Sequence, residues 1–323
     1  MLGVSLTRAQ APAWWPANAI YAADFVNRRY MRAGAPIAET SAISFSRSSS
    51  AWAQNAAGQW VEFGANQPRF TPGGLLLEPQ RENLVRNNAM AGAIAGTPGT
   101  LPTHWARFRT GTLNEPAVVG TGRRDGVDYI DLRLSGTASG NNDLGVFVEL
   151  LLPMAASSGY CLSGFFELIS GSLSAASFAH MSCGRYLDGA YVSGSPTIDL
   201  KVVGAWQRYS FSDTVPGAGV NQIRPSIAMR LGSGLSIDAV IRIGWPQLEL
   251  GPSISSPVIS SGTTFVRATD SATLYLVGGP QQLILRYDDG NEVQLSGPYT
   301  GSVQVPLGSS ALRVASAFAV PAV

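Results

Sequence analysis

The chain has little charge of either sign and few cysteines, and it lacks a long apolar run. Only 13% of its 323 residues are charged, and Lys201 is the only lysine. With 22 basic against 21 acidic residues, the chain has no cationic excess with which to hold polyanionic nucleic acid. Nucleic acid is therefore not expected as a partner.

Membrane insertion and secretion are also not expected. The first twenty residues show no basic segment followed by an apolar one. The most apolar later stretch, LGVFVELLLPMAA, contains Glu149 and is shorter than the 18 or so residues needed to span a bilayer. Cys161 and Cys183 are the only cysteines and have no metal-ligand spacing, so we interpret them as buried or free thiols and expect no zinc site.

Glycine and proline are abundant, at 36 and 20 residues, which favours many short strands joined by turns. Between residues 86 and 252, nine strand-like segments are each bounded by Gly, Pro, Asn or Asp. In YIDLRLS, the apolar residues Ile130, Leu132 and Leu134 alternate with polar ones, as in a strand with one wet face. The pattern predicts an all-β protein built around an antiparallel jelly-roll sandwich.

Three domains are predicted along the chain. Residues 1–85 read as an extended N-terminal arm with hairpins, one of them in AQNAAGQWVEFG. Residues 86–268 form the sandwich, and residues 269–323 form a small C-terminal β module with a hairpin at YDDGNEV. The stretch SGTTFVRATDSATL at residues 261–274 then marks a domain boundary.

Three phrases of the sequence carry a family resemblance. The first is SFSRSSSAWAQNAAGQWVEFGANQPRFTPGGLLLEPQRENLV, the second is GTPGTLPTHW, and the third is PQLELGPSISSPVISSGTTFVRATD. In this order, over residues 45–270, they resemble spike and tail-fibre structural proteins of tailed phages and gene transfer agents, whose sandwich is similar to a carbohydrate-binding module. The TPGG after Pro68-Arg69-Phe70 departs from the family pattern, and the last 50 or so residues lie outside the resemblance.

The resemblance implies a receptor-binding head spike or tail fibre of a phage or phage-like particle that attaches to host-surface or capsular polysaccharide. It further implies a homo-oligomer that contacts other virion proteins and sits on the particle surface after assembly in the bacterial cytoplasm. A purely structural virion component is the alternative.

The repeated Arg and Asp phrases fit arginine–carboxylate clamps. Arg267 with Asp270 would tie the chain back on the sandwich, and Arg69 or Arg81 would do so at its entrance. Ordinary solvated pairs are the other interpretation.

Glycan binding calls for exposed aromatic faces beside planar polar groups. Three polar, turn-rich segments fit this requirement, although each also reads as an ordinary hairpin tip or turn. Particle attachment is assigned to the apolar cluster of Trp14 and Trp15, which could equally fold back on the chain itself. The glycan-binding candidates are Arg123, Arg124, Asp125 and Tyr129 in the first segment, Arg185, Tyr186 and Tyr191 in the second, and Asn141 and Asn142 in the third.

Other chemistry has less support. Trp105, Trp206 and Trp245 lie in apolar, strand-like segments and are expected in the core, and His104 and His180 are expected to be structural. A depolymerase would need paired carboxylates, for which Asp128 with Asp131 and Glu149 with Glu167 are the available pairs, and we expect no enzyme. No cofactor is expected, and a structural calcium ion with Glu249 as a ligand is a weaker option.

Overall fold

The computed structural model describes residues 15–217, 219–307 and 313–322, and strands dominate it. The chain divides into two compact units. Unit 1 consists of Met1–Pro79 together with Ala268–Val323, and unit 2 is the continuous segment Gln80–Arg267. Unit 2 is therefore inserted into the sequence of unit 1.

Unit 1 has a main sheet in which hydrogen-bonded strands follow the order β24-β23-β26-β1-β2-β3, with β8 also pairing with β26 and β7 with β8. A second sheet has the order β25-β22-β4, and β5 pairs with β6. The elements are β1 (Tyr21–Asp24), β2 (Arg29–Arg32), β3 (Ala35–Pro36), α1 (Glu39–Ala42), β4 (Ile43–Ser46), β5 (Ala51–Gln54), β6 (Trp60–Phe63), β7 (Arg69–Thr71), β8 (Gly74–Leu76), β22 (Ser271–Tyr275), β23 (Gln281–Tyr287), β24 (Glu292–Tyr299), β25 (Ser302–Gln304) and β26 (Arg313–Pro321).

The two ends of the chain form one fold in unit 1. The last strand, β26, lies between β1 and β23 and pairs antiparallel with β1, while β22 pairs with β4 in the same way. Residues of both segments, among them Tyr21, Leu75, Leu274 and Leu285, share one buried apolar cluster. The predicted N-terminal arm and C-terminal module are thus two parts of a single unit, which differs from the three-domain division expected from the sequence.

Unit 2 contains two five-stranded antiparallel paths, β10-β13-β19-β16-β17 and β11-β12-β20-β15-β18. The short β14 also pairs with β19, and β9 pairs with β21. The elements are β9 (Arg81–Asn83), β10 (Ala106–Arg109), β11 (Ala117–Arg124), β12 (Val127–Thr137), β13 (Asn142–Phe147), β14 (Leu152–Pro153), β15 (Gly159–Ser170), β16 (Ala176–Leu187), β17 (Ala190–Asp199), a 3₁₀ turn (Leu200–Val202), β18 (Gln207–Thr214), β19 (Gln222–Leu231), β20 (Ser236–Leu250) and β21 (Phe265–Arg267).

The two sheets of unit 2 share one apolar core, as the sequence predicts. Ile130, Leu132 and Leu134 of β12 are buried in that core together with Met181 of β16 and Met229 of β19. Consecutive strands pass repeatedly from one sheet to the other, so residues far apart in sequence become neighbours. Unit 2 is therefore the antiparallel β-sandwich that the alternation of apolar residues indicates.

Several local predictions are confirmed. The AQNAAGQWVEFG and YDDGNEV segments form the β5–β6 and β23–β24 hairpins. Cys161 and Cys183 are buried free thiols, and burial raises the pKa of both. Trp105 and Trp245 are buried as predicted, whereas Trp206 is only half-buried and differs from the core position expected of it.

Among the residues that the structure describes, none of the helical segments has the length and hydropathy of a membrane span.

The boundary between the units falls inside the FVRATD stretch, between Arg267 and Ala268. Asp270, one residue of the clamp hypothesis, accepts hydrogen bonds from Arg47 Nη1 at 3.1 Å and from Arg69 Nη2. Arg69 also pairs with Glu78 at 2.8 Å, and the side chains of all four residues are buried within unit 1. Arg69 and Asp270 are therefore buried rather than solvated, and together with Arg47 and Glu78 they form a buried charge cluster.

Candidate functional site

An open groove of about 440 Å³ lies on one sheet of unit 2. Strands β10, β13, β16, β17 and β19 all contribute side chains to it. The lining consists of Phe108, Asp143, Phe147, Phe178, His180, Ser182, Gly184, Tyr186, Tyr191, Gly194, Ser195, Thr197, Arg224, Ser226, Ala228 and Arg230.

Strand alternation explains which residues face this groove. Successive side chains of a strand point to opposite faces of its sheet. In β16, Met181 and Cys183 enter the core of the sandwich, while Ser182 between them lines the groove. In β19, Ile227 and Met229 are in the core, and their even-numbered neighbours line the groove. The groove is therefore the outer face of this sheet.

Aromatic rings are distributed along the groove. Phe108 and Phe147 stack with their centroids 4.5 Å apart, and Tyr186 meets Tyr191 edge to face at 5.5 Å. Tyr191 is 64% exposed, so one of these rings is largely open to solvent. Such rings offer flat apolar surfaces.

Small side chains cover the middle of the groove. Ser182 lies opposite Ser226 in the β16–β19 pairing, and Gly184 lies opposite Arg224. Ser195 and Thr197 of β17 extend the same polar, sterically open surface. Small hydroxyl residues flanked by aromatic rings leave room for an extended ligand and supply hydrogen-bond donors and acceptors to it.

The charged groups of the groove are mostly compensated. Arg230 donates from Nε and Nη2 to the two carboxylate oxygens of Asp143, at 2.7 and 2.8 Å. His180 stacks on Phe178 with the ring planes 8° apart, and burial lowers its pKa against the smaller opposing effects of Asp199 and Asp143. His180 is therefore neutral at neutral pH.

Arg224 differs from Arg230. Its guanidinium carbon lies 3.6 Å from the centroid of Phe147 and 4.8 Å from that of Tyr186, and its Nη2 donates to the Tyr186 hydroxyl. Among the described residues, no carboxylate forms an ion pair with it, and its buried Nε has no hydrogen-bond partner.

The first predicted segment lies on the other sheet of the sandwich. Asp125 and Gly126, with φ of 50° and 84°, form the turn of the β11–β12 hairpin, as a type I′ turn requires. Arg123 donates to the Gly126 carbonyl oxygen at 3.0 Å. Arg124 pairs with Glu167 of β15, so its charge is already compensated.

Tyr129 is also part of this second sheet. The guanidinium of Arg242 lies 3.8 Å from its ring centroid, and Trp206 contacts it edge to face at 6.2 Å. One face of the Tyr129 ring is therefore occupied by the protein itself. None of the residues predicted in this segment lines the groove.

The second predicted segment, in β16 and β17, is divided between the two faces of their sheet. Tyr186 and Tyr191 line the groove, while Arg185 points the other way and donates to Asp213 of β18 at 2.6 Å. Asp213 also accepts from the hydroxyl of Tyr160 at 2.6 Å. Arg185 thereby connects the two sheets, and the tyrosines are the predicted residues that the structure brings together with the groove.

The asparagines of the third segment come just before Asp143 in the sequence and do not line the groove. Asn142 is buried, and its Oδ1 accepts from the backbone N–H of Ser139 at 2.9 Å, which stabilises the turn before β13. Asn141 is exposed beside it. Asp143, the next residue, does line the groove.

The proposed attachment residues can be described only in part. Trp14 lies outside the described residues. Trp15 is half-buried and packs against a small apolar cluster of Ala22, Met31 and Phe318 within unit 1.

Glu249, the candidate calcium ligand, is buried and already bonded to protein groups. Its carboxylate accepts from the Ser255 backbone N–H at 2.9 Å and the Ser255 hydroxyl at 2.7 Å, and Arg81 lies 3.5 Å away. In the ranges that the structure describes, no three His, Cys, Asp or Glu residues cluster as metal ligands.

The carboxylates considered for hydrolysis are held by arginines. Asp131 pairs bidentately with Arg242, at 2.8 and 3.0 Å, and Glu149 is buried beneath Arg86. Glu167 is the partner of Arg124. Neither predicted pair forms part of the groove lining.

Sequence reasoning missed most of the groove. Phe147, Phe178, Arg224 and Arg230 lie within strands that were recognised only as strands. A usable signal was present in SFAHMSCGRY, where every second residue from Phe178 faces the groove. The same alternation in IRPSIAMR places Arg224 and Arg230 on the groove face of β19, with the small residues Ser226 and Ala228 between them.

The chain matches no protein-family model and no curated protein. Among solved structures, it is similar to a CBM4 structure at 15% identity, covering 52% of this chain and 99% of that one, with a TM-score of 0.33. It is similar to the tripod from the baseplate of bacteriophage Tuc2009 at 15% identity, covering 82% and 98%, with a TM-score of 0.38. It is also similar to the enzymatically active domain of tailspike protein 4 of bacteriophage CBA120 at 14% identity, covering 46% and 20%, with a TM-score of 0.29. At TM-scores this low, the similarities say nothing about what the chain binds.

Proposed function

We propose that this protein is a carbohydrate-binding structural protein of a phage or phage-like particle, and that the groove of unit 2 holds a polysaccharide of the host surface. The observation that carries the carbohydrate part is the groove itself, an open surface on which aromatic rings flank small hydroxyl residues. The particle part is supported by the sequence phrases at residues 45–270 that resemble phage and gene-transfer-agent proteins.

The groove suits a sugar chain better than a compact ligand. Its volume of about 440 Å³ is within the range of ligand sites, yet it runs across five strands and stays open to solvent. Sugar rings have an apolar face that packs on an aromatic ring and hydroxyl groups that need polar partners. Tyr191 provides an exposed ring, and Ser182, Ser195 and Ser226 provide the partners.

Binding without cleavage fits the groove chemistry. Glycoside hydrolysis by the usual route needs two carboxyl groups placed on either side of the scissile bond. Asp143 is the only carboxylate among the described lining residues, and Arg230 holds both of its oxygens. We therefore propose that the protein attaches to the polysaccharide as a receptor-binding spike or fibre and leaves its length unchanged.

Oligomerisation would strengthen such attachment. A single open groove gives a modest affinity, whereas several copies on one particle raise the effective affinity by multivalency. We assign polysaccharide binding to unit 2 and particle attachment to unit 1, in which Trp15 and the neighbouring N-terminal residues are the candidates. Host capsular polysaccharide is the proposed receptor.

The test is binding of the purified protein to a panel of bacterial surface polysaccharides, with chain length monitored by viscosity. Tyr191→Ala removes the exposed ring and should weaken binding about 5- to 30-fold, as expected for roughly 1–2 kcal/mol of lost stacking. Tyr275→Ala is the matched control, because Tyr275 is a half-exposed tyrosine of unit 1.

Three results would contradict the proposal in different ways. Absence of binding to every polysaccharide would favour a purely structural virion component. Falling viscosity would identify a depolymerase. Equal losses in Tyr191→Ala and Tyr275→Ala would place the binding surface outside the groove.

A further inference from the structure

We infer that the groove of unit 2 selects a carboxylate-bearing polysaccharide, and that Arg224 is the residue that recognises the carboxylate. This inference rests on the proposed carbohydrate binding and specifies its ligand class. It follows from the charge balance of the groove and from the way in which Arg224 is held.

The charge balance leaves one positive group without an anionic partner. Arg230 and Asp143 neutralise each other through two short hydrogen bonds, and the lowered pKa of His180 keeps its ring neutral. Arg224 forms no ion pair with a carboxylate of the described residues. Among the described lining residues, the groove therefore carries one uncompensated positive charge.

Arg224 is also held in place before any ligand arrives. Phe147 contacts its guanidinium with 3.6 Å between the guanidinium carbon and the ring centroid, and Tyr186 contacts it with 4.8 Å. The Tyr186 hydroxyl accepts one of its hydrogen bonds. An arginine fixed in this way loses little side-chain entropy on binding, which favours its use in recognition.

One donor group of Arg224 remains for a ligand. Its Nη1 has no hydrogen-bond partner among the described residues, whereas its Nε is buried. A guanidinium prefers a carboxylate, because hydrogen bonds between charged groups are about twice as strong as those between neutral ones.

The neighbourhood of Arg224 matches a sugar acid. Tyr186 contacts both Arg224 and the exposed ring of Tyr191, so the cation and the stacking surface are joined through one side chain. The opposite strand provides Gly184 at the register position of Arg224, where a Cβ atom would lie 2.9 Å from the Tyr186 ring. A uronic acid residue combines the apolar ring face and the carboxylate that these two groups would recognise.

The experiment compares uronate polysaccharides with their carboxyl-reduced forms. Polygalacturonate, alginate and hyaluronate serve as probes beside neutral bacterial polysaccharides, with affinity measured at fixed low salt because charge contacts are screened. The wild-type protein should prefer at least one carboxylated probe over its reduced form by on the order of tenfold, the effect of one charge-assisted hydrogen bond. Arg224→Gln should abolish this preference and leave affinity for the reduced form nearly unchanged.

Two further variants separate recognition from packing. Arg224→Lys keeps the charge and should retain part of the preference, which a purely structural role would not predict. The double variant Arg123→Gln with Arg124→Gln removes two arginines from the other sheet and should retain the full preference.

The outcomes distinguish this inference from the function on which it rests. Binding to neutral polysaccharides with no preference for carboxylate would overturn the role of Arg224 while leaving carbohydrate binding intact. Loss of the preference in the Arg123 and Arg124 double variant, with Arg224→Gln unaffected, would move recognition to the β11–β12 turn. Absence of binding to all polysaccharides would overturn both proposals.

Discussion

Replacing Asp270 with asparagine tests whether the buried charge cluster holds the two chain segments of unit 1 together. Asp270 belongs to the C-terminal segment, and its partners Arg47, Arg69 and Glu78 belong to the N-terminal one. Its Oδ1 accepts from Arg47 Nη1, whereas its Oδ2 accepts from Arg69 and, at 2.7 Å, from the Glu78 backbone N–H. Asparagine keeps the size of the side chain but offers only one oxygen. Both oxygen positions of Asp270 face hydrogen-bond donors, so the NH₂ group of asparagine would face a donor in either orientation.

The magnitude follows from burial and charge. Asp270 is buried and pairs with the two buried guanidinium groups of Arg47 and Arg69, so Asp270→Asn removes the negative charge beside both. Breaking a buried ion pair from one side costs about 3–5 kcal/mol. With a urea dependence of roughly 1–3 kcal/mol per molar, the unfolding midpoint of unit 1 should fall by at least ~1 M.

Urea titration read by pulsed hydrogen exchange and mass spectrometry measures both units in one sample. Peptides of unit 1, including those of β1 and β4, should lose protection at lower urea, while peptides of unit 2 should be unchanged because all partners of Asp270 named above lie in unit 1. The control is Glu292→Gln, which removes an exposed ion pair with Arg286 in the same unit and should cost less than ~1 kcal/mol. A cost for Asp270→Asn no larger than that of the control would refute the reasoning.

Two further substitutions test unit 2. Gly145→Ala would place a methyl group against the Ile227 carbonyl oxygen and 2.7 Å from the Phe108 ring, so urea unfolding should show a loss of about 1–3 kcal/mol, whereas Gly140→Ala, which meets open space, should be neutral. For Glu149, burial favours the neutral form, but hydrogen bonds from Arg86 outweigh it and hold the pKa of the carboxyl below its usual value. Its stabilisation is therefore present above the unfolded pKa of ~4.3 and is lost as pH falls through the lower folded pKa. Glu149→Gln should lower stability at neutral pH and flatten the decline on acidification, and an unchanged decline would contradict this assignment.

The strands of the sandwich were predictable because the local alternation of apolar and polar residues shows which face of each strand is buried. Ile130, Leu132 and Leu134 alternate with polar residues, and that period alone indicates a strand with one buried face. The pairing of Tyr21 with Ala319 could not be predicted in this way, because the local sequence of each segment does not indicate which distant strand it pairs with. For that reason the sequence suggests three domains where strand pairing produces two units.

The groove was predictable only at one end. Tyr186 and Tyr191 attracted attention because they flank a Gly-rich turn, and both line the groove. Arg224 lies in the middle of β19, where its significance depends on Phe147 and Tyr186, which are supplied by two other strands. The charged residues at the β11–β12 turn were more conspicuous, yet Arg124 is engaged by Glu167 in a pairing that spans 43 positions of the chain.

The path of the chain between the units has a consequence for folding order and exchange. Asp270 N donates to the Glu78 carbonyl oxygen at 3.0 Å, and Arg267 lies opposite Arg81 in the β9–β21 pair, so the chain leaves and re-enters each unit at adjacent positions. Closing a loop as long as unit 2 costs unit 1 on the order of 4–5 kcal/mol in its length-dependent part when that loop is unfolded. Once unit 2 has folded, its paired ends remove most of this entropic cost. Prior folding of unit 2 therefore makes the folding of unit 1 more favourable. Because its ends are adjacent, unit 2 can also be replaced by recombination without altering the fold of unit 1; under the proposed function, such an exchange changes the bound polysaccharide and keeps the attachment unit.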